Sequence, residues 1–141
     1  MDALDEMGVK YTTERTWVIG LIEGGLPGDT VGIRADMDAL PVEEHTGLPY
    51  ASEHPGMMHA CGHDMHMAAV LGAAKLLTAH REELPGTVRF LFQPDEEVNG
   101  GAERMIEAGC LDGVSQVYGA HVRQELQRVE RRSRFRRVMR S

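Results

Sequence analysis

The stretch that decides the fold is GTVRFLFQPDEEVNGGAERMIEAG, residues 86–109. Its segment TVRFLFQ (87–93) is rich in β-branched and aromatic residues, which is typical of a buried strand. The acidic turn PDEE follows, and GAERMIEA (101–108) then predicts a short helix that ends at Gly109. A strand, a tight turn and a helix in this order are a unit of an α/β sheet, and we expect that architecture for the chain.

The neighbouring sequence predicts further strands and one long helix. Residues 16–23 (TWVIGLIE) and 30–36 (TVGIRAD) are apolar and β-branched, and turn residues lie between them, so we expect an antiparallel pair. Between 64 and 80 apolar residues recur every three or four positions, which predicts an amphipathic helix that Asp64 caps. Residues 114–122 (VSQVYGAHV) predict a fourth strand.

Polar side chains gather where these predicted elements end. Some of these side chains follow a predicted strand, at the edge where open α/β sheets place their sites. The others lie at the start of the long helix, whose N-terminal dipole favours a thiolate. A thiolate and an imidazole two residues apart suit a metal ion, and adjacent glutamates can divide metal binding from proton transfer. The set is Asp36, Asp38, Cys61, His63, Glu96, Glu97 and His121.

Each motif also has an explanation without chemistry. HACGHD would be a His-rich surface loop with Cys61 as a small buried residue, and the glutamate pair would be two solvated acids. Asp36 and Asp38 would be a charged strand end, and His121 a buried strand histidine. His66 is either a group that supports a ligand or a residue without a role at the site.

Composition limits the other possibilities. A chain of 141 residues with 42% apolar content forms about one core. Cys61 and Cys110 lie in different settings, so we expect no disulfide framework. No apolar run reaches the roughly 18 to 20 residues that cross a bilayer, and the N-terminus does not resemble a signal peptide. We therefore expect a cytoplasmic protein with no membrane partner.

Charge divides the chain after Val122. Residues 1–122 hold 7 Lys+Arg against 20 Asp+Glu, whereas residues 123–141 hold 8 Arg against 2 Glu. An acidic body does not suggest a nucleic-acid surface. The Arg-rich tail has two explanations. In the first, it binds nucleic acid or an acidic membrane surface. In the second, which we favour, it is the product of an accident such as a frame change.

From about residue 20 to residue 122 the sequence resembles the amidohydrolase branch of the dinuclear metallopeptidases. The motifs that carry the resemblance are GIRADMDALP, HACGHDMH, FQPDEEVNGG and YGAHV. Hippurate hydrolase, N-acyl-L-amino acid amidohydrolases and plant auxin-conjugate hydrolases are members of this group. The resemblance implies a general base, Glu96; an aspartate that steadies a ligand histidine, Asp38; and four metal ligands, Cys61, His63, Glu97 and His121.

The resemblance also implies cofactor, substrate and fold. We expect two divalent ions, manganese or zinc with cobalt as a further option, and hydrolysis of the amide bond of an N-acyl amino acid or short peptide. The fold implied is part of a metallopeptidase-type catalytic domain, a mixed sheet flanked by helices. Intact members also carry a lid and dimerisation domain and form homodimers.

The sequence departs from the family pattern after His121. The lid domain and a last histidine ligand have no counterpart in it, and the Arg-rich residues stand in their place. We therefore expect residues 1–122 to be a partial catalytic domain, 123–141 a tail unrelated to the family, and the chain a truncated, impaired amidohydrolase. The alternative is a non-catalytic metal-binding remnant whose basic tail contacts nucleic acid or acidic surfaces.

Overall fold

In the computed structural model, which describes residues 1–98 and 100–122, a five-stranded mixed sheet is flanked by helices. The α/β architecture expected from the sequence is confirmed. The strands are β1 (Lys10–Glu14), β2 (Trp17–Glu23), β3 (Leu26–Asp36), β4 (Pro85–Gln93) and β5 (Val114–Gly119). The helices are α1 (Asp2–Glu6), α2 (His63–Ala79) and α3 (Gly101–Glu107), with a 3₁₀ turn at Arg81–Glu83.

The strand order is β1-β2-β4-β3-β5. β2 is antiparallel to β1 and β4, whereas β3 is parallel to β4 and β5. The predicted antiparallel pairing of residues 16–23 with 30–36 is therefore wrong, because β4 lies between them. The Gly-rich link does not close a hairpin, since Gly24 N–H donates to the Gly86 carbonyl and Leu26 N–H to the Leu84 carbonyl, at the start of β4.

Side chains of β4 alternate between two cores. Phe90 and Phe92 face α2, where they join a buried cluster that includes Val70 and Ala74. Leu91 faces the other way and packs in a second cluster with Trp17, Met105 and Cys110. The sheet is thus covered by α2 on one face and by α3 on the other, and both helices begin near the carboxyl end of β4.

Element ends differ from the sequence predictions in two places that matter for the site. The N-cap of α2 is Gly62, and Asp64 makes no side-chain capping bond. β5 ends at Gly119, so His121 lies in the loop beyond it. The sequence analysis also missed α1 and β1; β1 has the polar sequence KYTTE and is mostly exposed at the sheet edge, so it lacks the apolar alternation of a half-buried strand.

Within residues 1–98 and 100–122, none of the helices is long and apolar enough to cross a membrane. The Arg-rich tail, 123–141, lies outside the described residues. The domain boundary after Val122 stays a prediction.

Candidate metal centre

His63 is the most buried of the candidate ligands, with 1% of its surface exposed. Its Nδ1 lies 3.0 Å from the main-chain carbonyl oxygen of Asp38 and 3.2 Å from the Oδ1 atom of Asp38. Because a carbonyl oxygen can only accept, Nδ1 carries a proton, and in the neutral ring Nε2 therefore presents a lone pair. Among the residues that the structure describes, this buried Nε2 has no hydrogen-bond partner.

Three carboxylates surround the Nε2 atom of His63. The nearest oxygens are those of Glu97 at 3.6 Å, Asp36 at 3.7 Å and Glu96 at 3.9 Å. A lone pair and carboxylate oxygens that face one point repel one another, and a buried acceptor without a donor is costly. A cation at this point would satisfy all of them, so the environment of Nε2 fits a metal ion.

Asp38 connects the elements that carry these groups. Its Oδ2 accepts a hydrogen bond from the Glu97 main-chain N–H at 3.1 Å, while its Oδ1 and carbonyl oxygen face His63. The end of β3, the start of α2 and the acidic turn after β4 are thereby joined at one residue. This contact sets the ring plane of His63 and the position of Glu97 together.

The acidic turn is fixed from the side of α3. Asp95 has a positive φ of 53°, a left-handed conformation that Asp adopts more readily than most residues. Its carboxylate pairs with Arg104 of α3. Gly101 packs directly on the turn, because a Cβ there would lie 1.8 Å from the carbonyl oxygen of Pro94. These contacts place the two glutamates that follow Asp95 over the edge of the sheet.

Cys61 and His121 form the other side of the centre. The Sγ atom of Cys61 lies 3.5 Å from the Nε2 atom of His121. Gly62 makes this approach possible, because its φ is 94° and a Cβ on it would lie 2.5 Å from a methyl group of Val122. His121 is exposed, so the alternative of a buried strand histidine is wrong.

Two pairs of donor atoms have the separation expected of ligands on one ion. Two ligands of a tetrahedral ion with bonds of roughly 2.0 to 2.3 Å are separated by about 3.3 to 3.8 Å. The observed separations are 3.5 Å between Cys61 and His121 and 3.6 Å between His63 and Glu97. Ligand atoms of Cys61, His63 and Glu97 all lie within 4.8 Å of one another. This mixture of thiol, imidazole and carboxylate suits zinc, manganese or cobalt.

Cys61 is protonated in this environment. A hydrogen bond to Glu97 raises its pKa to about 11, together with burial and the negative charges of Glu97, Glu96 and Asp36. The expectation that the helix dipole would favour the thiolate is therefore wrong for the protein alone, because nearby carboxylates outweigh the dipole. A thiolate here requires a positive charge between the sulfur and the carboxylates.

A second cluster lies behind the centre. Asp36 Oδ1 lies 2.6 Å from Nδ1 of His66, and Asp36 Oδ2 accepts a hydrogen bond from Arg34 at 2.7 Å. Burial raises the pKa of Asp36, but the hydrogen bond from His66 and the charge of Arg34 outweigh burial, so the net pKa is lowered. Asp36 is therefore a carboxylate.

Asp36, His63 and His66 also have donor atoms within 4.8 Å of one another. Nevertheless, both ring nitrogens of His66 are engaged, since Nε2 accepts a hydrogen bond from the Val122 N–H at 2.9 Å. This cluster is a hydrogen-bonded network beside the centre. The signal for it in the sequence was the three-residue spacing from His63 to His66, which places both on one helix face.

The structure thus brings all of the sequence-predicted site residues together at the carboxyl edge of the parallel strands. Cys110 lies in the core on the α3 face, apart from the centre. The metal and proton-transfer roles themselves stay predictions. The residues brought together are Asp36, Asp38, Cys61, His63, Glu96, Glu97 and His121.

Comparison with known sequences agrees with this geometry. The chain is 53% identical over 112 residues to an N-acetylcysteine deacetylase of Bacillus subtilis, a match that covers 79% of this chain and 30% of that protein. It is 50% identical over 115 residues to an N-acyl-L-amino acid amidohydrolase of Geobacillus stearothermophilus, covering 81% of this chain and 31% of that protein. The chain therefore spans about a third of the length of these relatives.

A solved structure gives the same result for the fold. The chain superposes on a Bacillus subtilis protein described as a dinuclear metal binding peptidase of the M20 family with a TM-score of 0.84 and 47% identity. The superposition covers 88% of this chain and 35% of that one. The model of peptidase family M20/M25/M40 matches residues 32–132, which include every residue of the centre. On this evidence the chain is a member of peptidase family M20/M25/M40.

Proposed function

We propose that this centre binds divalent metal and that its chemistry is hydrolysis of the amide bond in N-acyl amino acids. The observation that carries the proposal is the lone pair of His63 Nε2, which is buried, without a hydrogen-bond donor and surrounded by carboxylate oxygens. The ligands are Cys61, His63, Glu97 and His121.

The metal is manganese or zinc, with cobalt as a further option, and two ions bind in the working site. Support for two ions comes from the name of the Bacillus subtilis structural relative. When bound, such ions lower the pKa of a water molecule and polarise a carbonyl group. The carboxylates of Asp36 and Glu97, which lie nearest Nε2 of His63, favour a bound cation, because each is stabilised when a cation replaces its repulsion by its neighbours.

Glu96 is the general base. Its carboxylate lies 3.9 Å from Nε2 of His63, and 39% of its side chain is exposed, so it reaches both the centre and the solvent. It takes a proton from the attacking water and returns the proton to the leaving amine. Glu97, one residue along the same turn, stays a ligand because Asp38 holds its main chain.

The substrate class rests on the relatives. One is named for N-acetylcysteine and another for N-acyl-L-amino acids. The chain spans about a third of the length of these relatives. We therefore propose for it both the same substrate class and the formation of a homodimer. Short peptides are included because the matching family is a peptidase family.

The experiment uses the full chain, freed of metal by a chelator and titrated with Mn²⁺, Zn²⁺ or Co²⁺ in a calorimeter. Amine release from N-acetylcysteine, other N-acetyl amino acids and hippurate is then followed with each ion. We expect metal binding and metal-dependent hydrolysis. Glu96→Gln should retain metal affinity and lose about 10²- to 10⁴-fold in turnover.

The matched control is Glu103→Gln, on the exposed surface of α3. It should change neither metal binding nor turnover. A chain that binds no divalent ion would contradict the proposal. Metal binding without any turnover would favour the alternative of a non-catalytic metal-binding protein.

A further inference from the structure

Val122, the residue after the proposed ligand His121, is attached to α2 by a hydrogen bond. Its main-chain N–H donates to Nε2 of His66 at 2.9 Å. His66 is 5% exposed and lies one helical turn after His63. A residue of the helix that carries one proposed ligand therefore holds the loop that carries another.

The direction of every bond in this network is fixed. A main-chain N–H can only donate, so Nε2 of His66 must accept and its Nδ1 must carry the proton. Nδ1 in turn donates to Asp36 Oδ1 at 2.6 Å, and Arg34 holds the other oxygen at 2.7 Å. The nearly buried carboxylate thus selects the tautomer of His66 that can accept from Val122.

His66 also contacts the ring of His121. The two ring centroids lie 4.6 Å apart in an edge-to-face arrangement. His121 is exposed and follows the last residue of β5, Gly119, so the regular ladder of the sheet does not fix it. Its other contacts within the described residues are Cys61, which is itself a proposed ligand, and the carbonyl oxygen of Val122, which lies 2.6 Å from Nδ1 of His121.

We propose that His66 is a positioning residue that, through the N–H of Val122 and the ring of His121, holds Nε2 of His121 toward the metal centre. This inference rests on the proposed function, since it assumes that His121 binds metal. His66 itself binds no ion, because both of its nitrogens are engaged in the network.

Two substitutions separate the two ends of the His66 ring. The amide of Asn reaches about as far as Nδ1, so His66→Asn can keep the bond to Asp36 and loses the bond to Val122. The amide of Gln reaches about as far as Nε2, so His66→Gln can keep the acceptor for Val122. His80→Asn is the control, because His80 is exposed just beyond the other end of α2.

Metal affinity is measured by calorimetry with Mn²⁺, Zn²⁺ and Co²⁺. Loss of a group that orients a ligand typically weakens binding by about 10- to 100-fold, and we expect that loss for His66→Asn. His66→Gln should lie closer to the wild type, and His80→Asn should equal it. Fluorescence of Trp17 in metal-free samples reports whether each variant is folded.

Hydrogen exchange of the Val122 amide in metal-free protein gives a readout that does not depend on metal or activity. The amide should be protected in the wild type and in His66→Gln, and exchange faster in His66→Asn. Ring ¹⁵N shifts of wild-type His66 should show a protonated Nδ1 and an unprotonated Nε2.

The outcomes separate this inference from the proposed function. If wild-type protein binds metal but His66→Asn binds it equally well, the positioning role is overturned and the proposed function stands. If His66→Asn loses affinity with unchanged exchange at Val122, the route through Val122 is overturned. If the wild type binds no divalent ion, both proposals fail.

Discussion

The antiparallel and parallel halves of the sheet have different tasks. β3 and β4 run in the same direction and end side by side, with Asp36 paired to Gln93, so the segments that follow them start at the same edge. β2 runs the other way, and its last residue, Glu23, pairs with Thr87 near the beginning of β4. Strand direction therefore decides which loops meet.

The chemistry of the protein follows this division. Every proposed ligand follows a parallel strand or lies at or just before the start of α2, at the carboxyl edge of the parallel strands, whereas β1 and β2 contribute none. β2 instead contributes Trp17 and Ile22 to the two cores. Substitutions in β2 should accordingly change folding stability alone, and substitutions at the carboxyl edge should change metal binding.

The largest effect tests the antiparallel half. Ile22 is 4% exposed and lies opposite Val88 of β4. Ile22→Ala should lower the free energy of unfolding by about 2 to 5 kcal/mol, because it removes buried methyl groups and leaves a cavity. Urea unfolding followed by Trp17 fluorescence measures the change. Metal affinity of the folded variant should not change.

Leu26→Ala provides the control for this substitution. Leu26 is 51% exposed, so its truncation should change the unfolding free energy by no more than about 0.5 kcal/mol. A loss of metal affinity in folded Ile22→Ala would show that the two halves are coupled and would contradict the division of tasks.

The second-largest effect is the loss of metal affinity when a proposed ligand at the carboxyl edge is removed. Cys61→Ala removes a proposed ligand, and we expect metal affinity to fall by more than about 100-fold, beyond the effect of losing a supporting group. Metal-free stability should hardly change, since Cys61 is only half-buried. Cys110→Ala, in the buried α3-side cluster, should show the reverse pattern. Equal metal affinity in both variants would exclude Cys61 as a ligand.

The third effect is smaller, because the ligands remain. Asp38→Asn weakens the contacts that orient His63 and the Glu97 main chain. We expect metal affinity about 10- to 100-fold weaker by calorimetry. Asp29→Asn is the control, since Asp29 is exposed near the opposite end of β3. Unchanged affinity in Asp38→Asn would mean that α2 and the main-chain carbonyl of residue 38 are enough to orient His63.

Regular elements were predictable where the apolar pattern was strong. Helix α2 is observed at His63–Ala79 against the predicted 64–80, and β4 at Pro85–Gln93 against 87–93. The apolar pattern is strong in both because α2 buries one face against a core and β4 buries both faces. The hairpin failed for a long-range reason. The local sequence signals a turn at 24–29, but it does not contain the information that β4 inserts between its neighbours.

The sequence was enough to predict which residues form the centre but not their protonation states. Strand ends and a helix start were enough to predict that Cys61, His63 and the acidic turn converge. The raised pKa of the Cys61 thiol depends on carboxylates from separate segments, and the tautomer of His66 depends on a contact with Val122, 56 residues away. Such facts follow from distances between atoms, which the order of residues does not specify.

The smallest effect lies in the long loop that leaves the carboxyl edge between β3 and α2. Glu44 accepts hydrogen bonds from the Thr46 hydroxyl and, at 2.8 Å, from the Ser52 N–H. These bonds, with that of Thr46 the stronger, lower the pKa of Glu44. Because the pKa is lowered in the folded protein, the bonds stabilise the loop fully at pH values above the ordinary glutamate pKa of about 4.3. This stabilisation is lost as the pH falls through the lower pKa of the folded protein.

We therefore expect the Ser52 amide shift to titrate with a midpoint below the ordinary value for glutamate. Thr46→Val should move that midpoint upward, whereas Thr12→Val, on the exposed edge strand β1, should leave it unchanged. The measurement is an NMR titration of metal-free protein. Because Glu44 is partly exposed and its hydrogen bonds stay within its own loop, neither variant should alter metal affinity or global unfolding. Weakened metal binding in Thr46→Val would instead show that this loop supports the metal centre. The region that determines metal binding would then include the loop between β3 and α2 as well as the ends of the parallel strands.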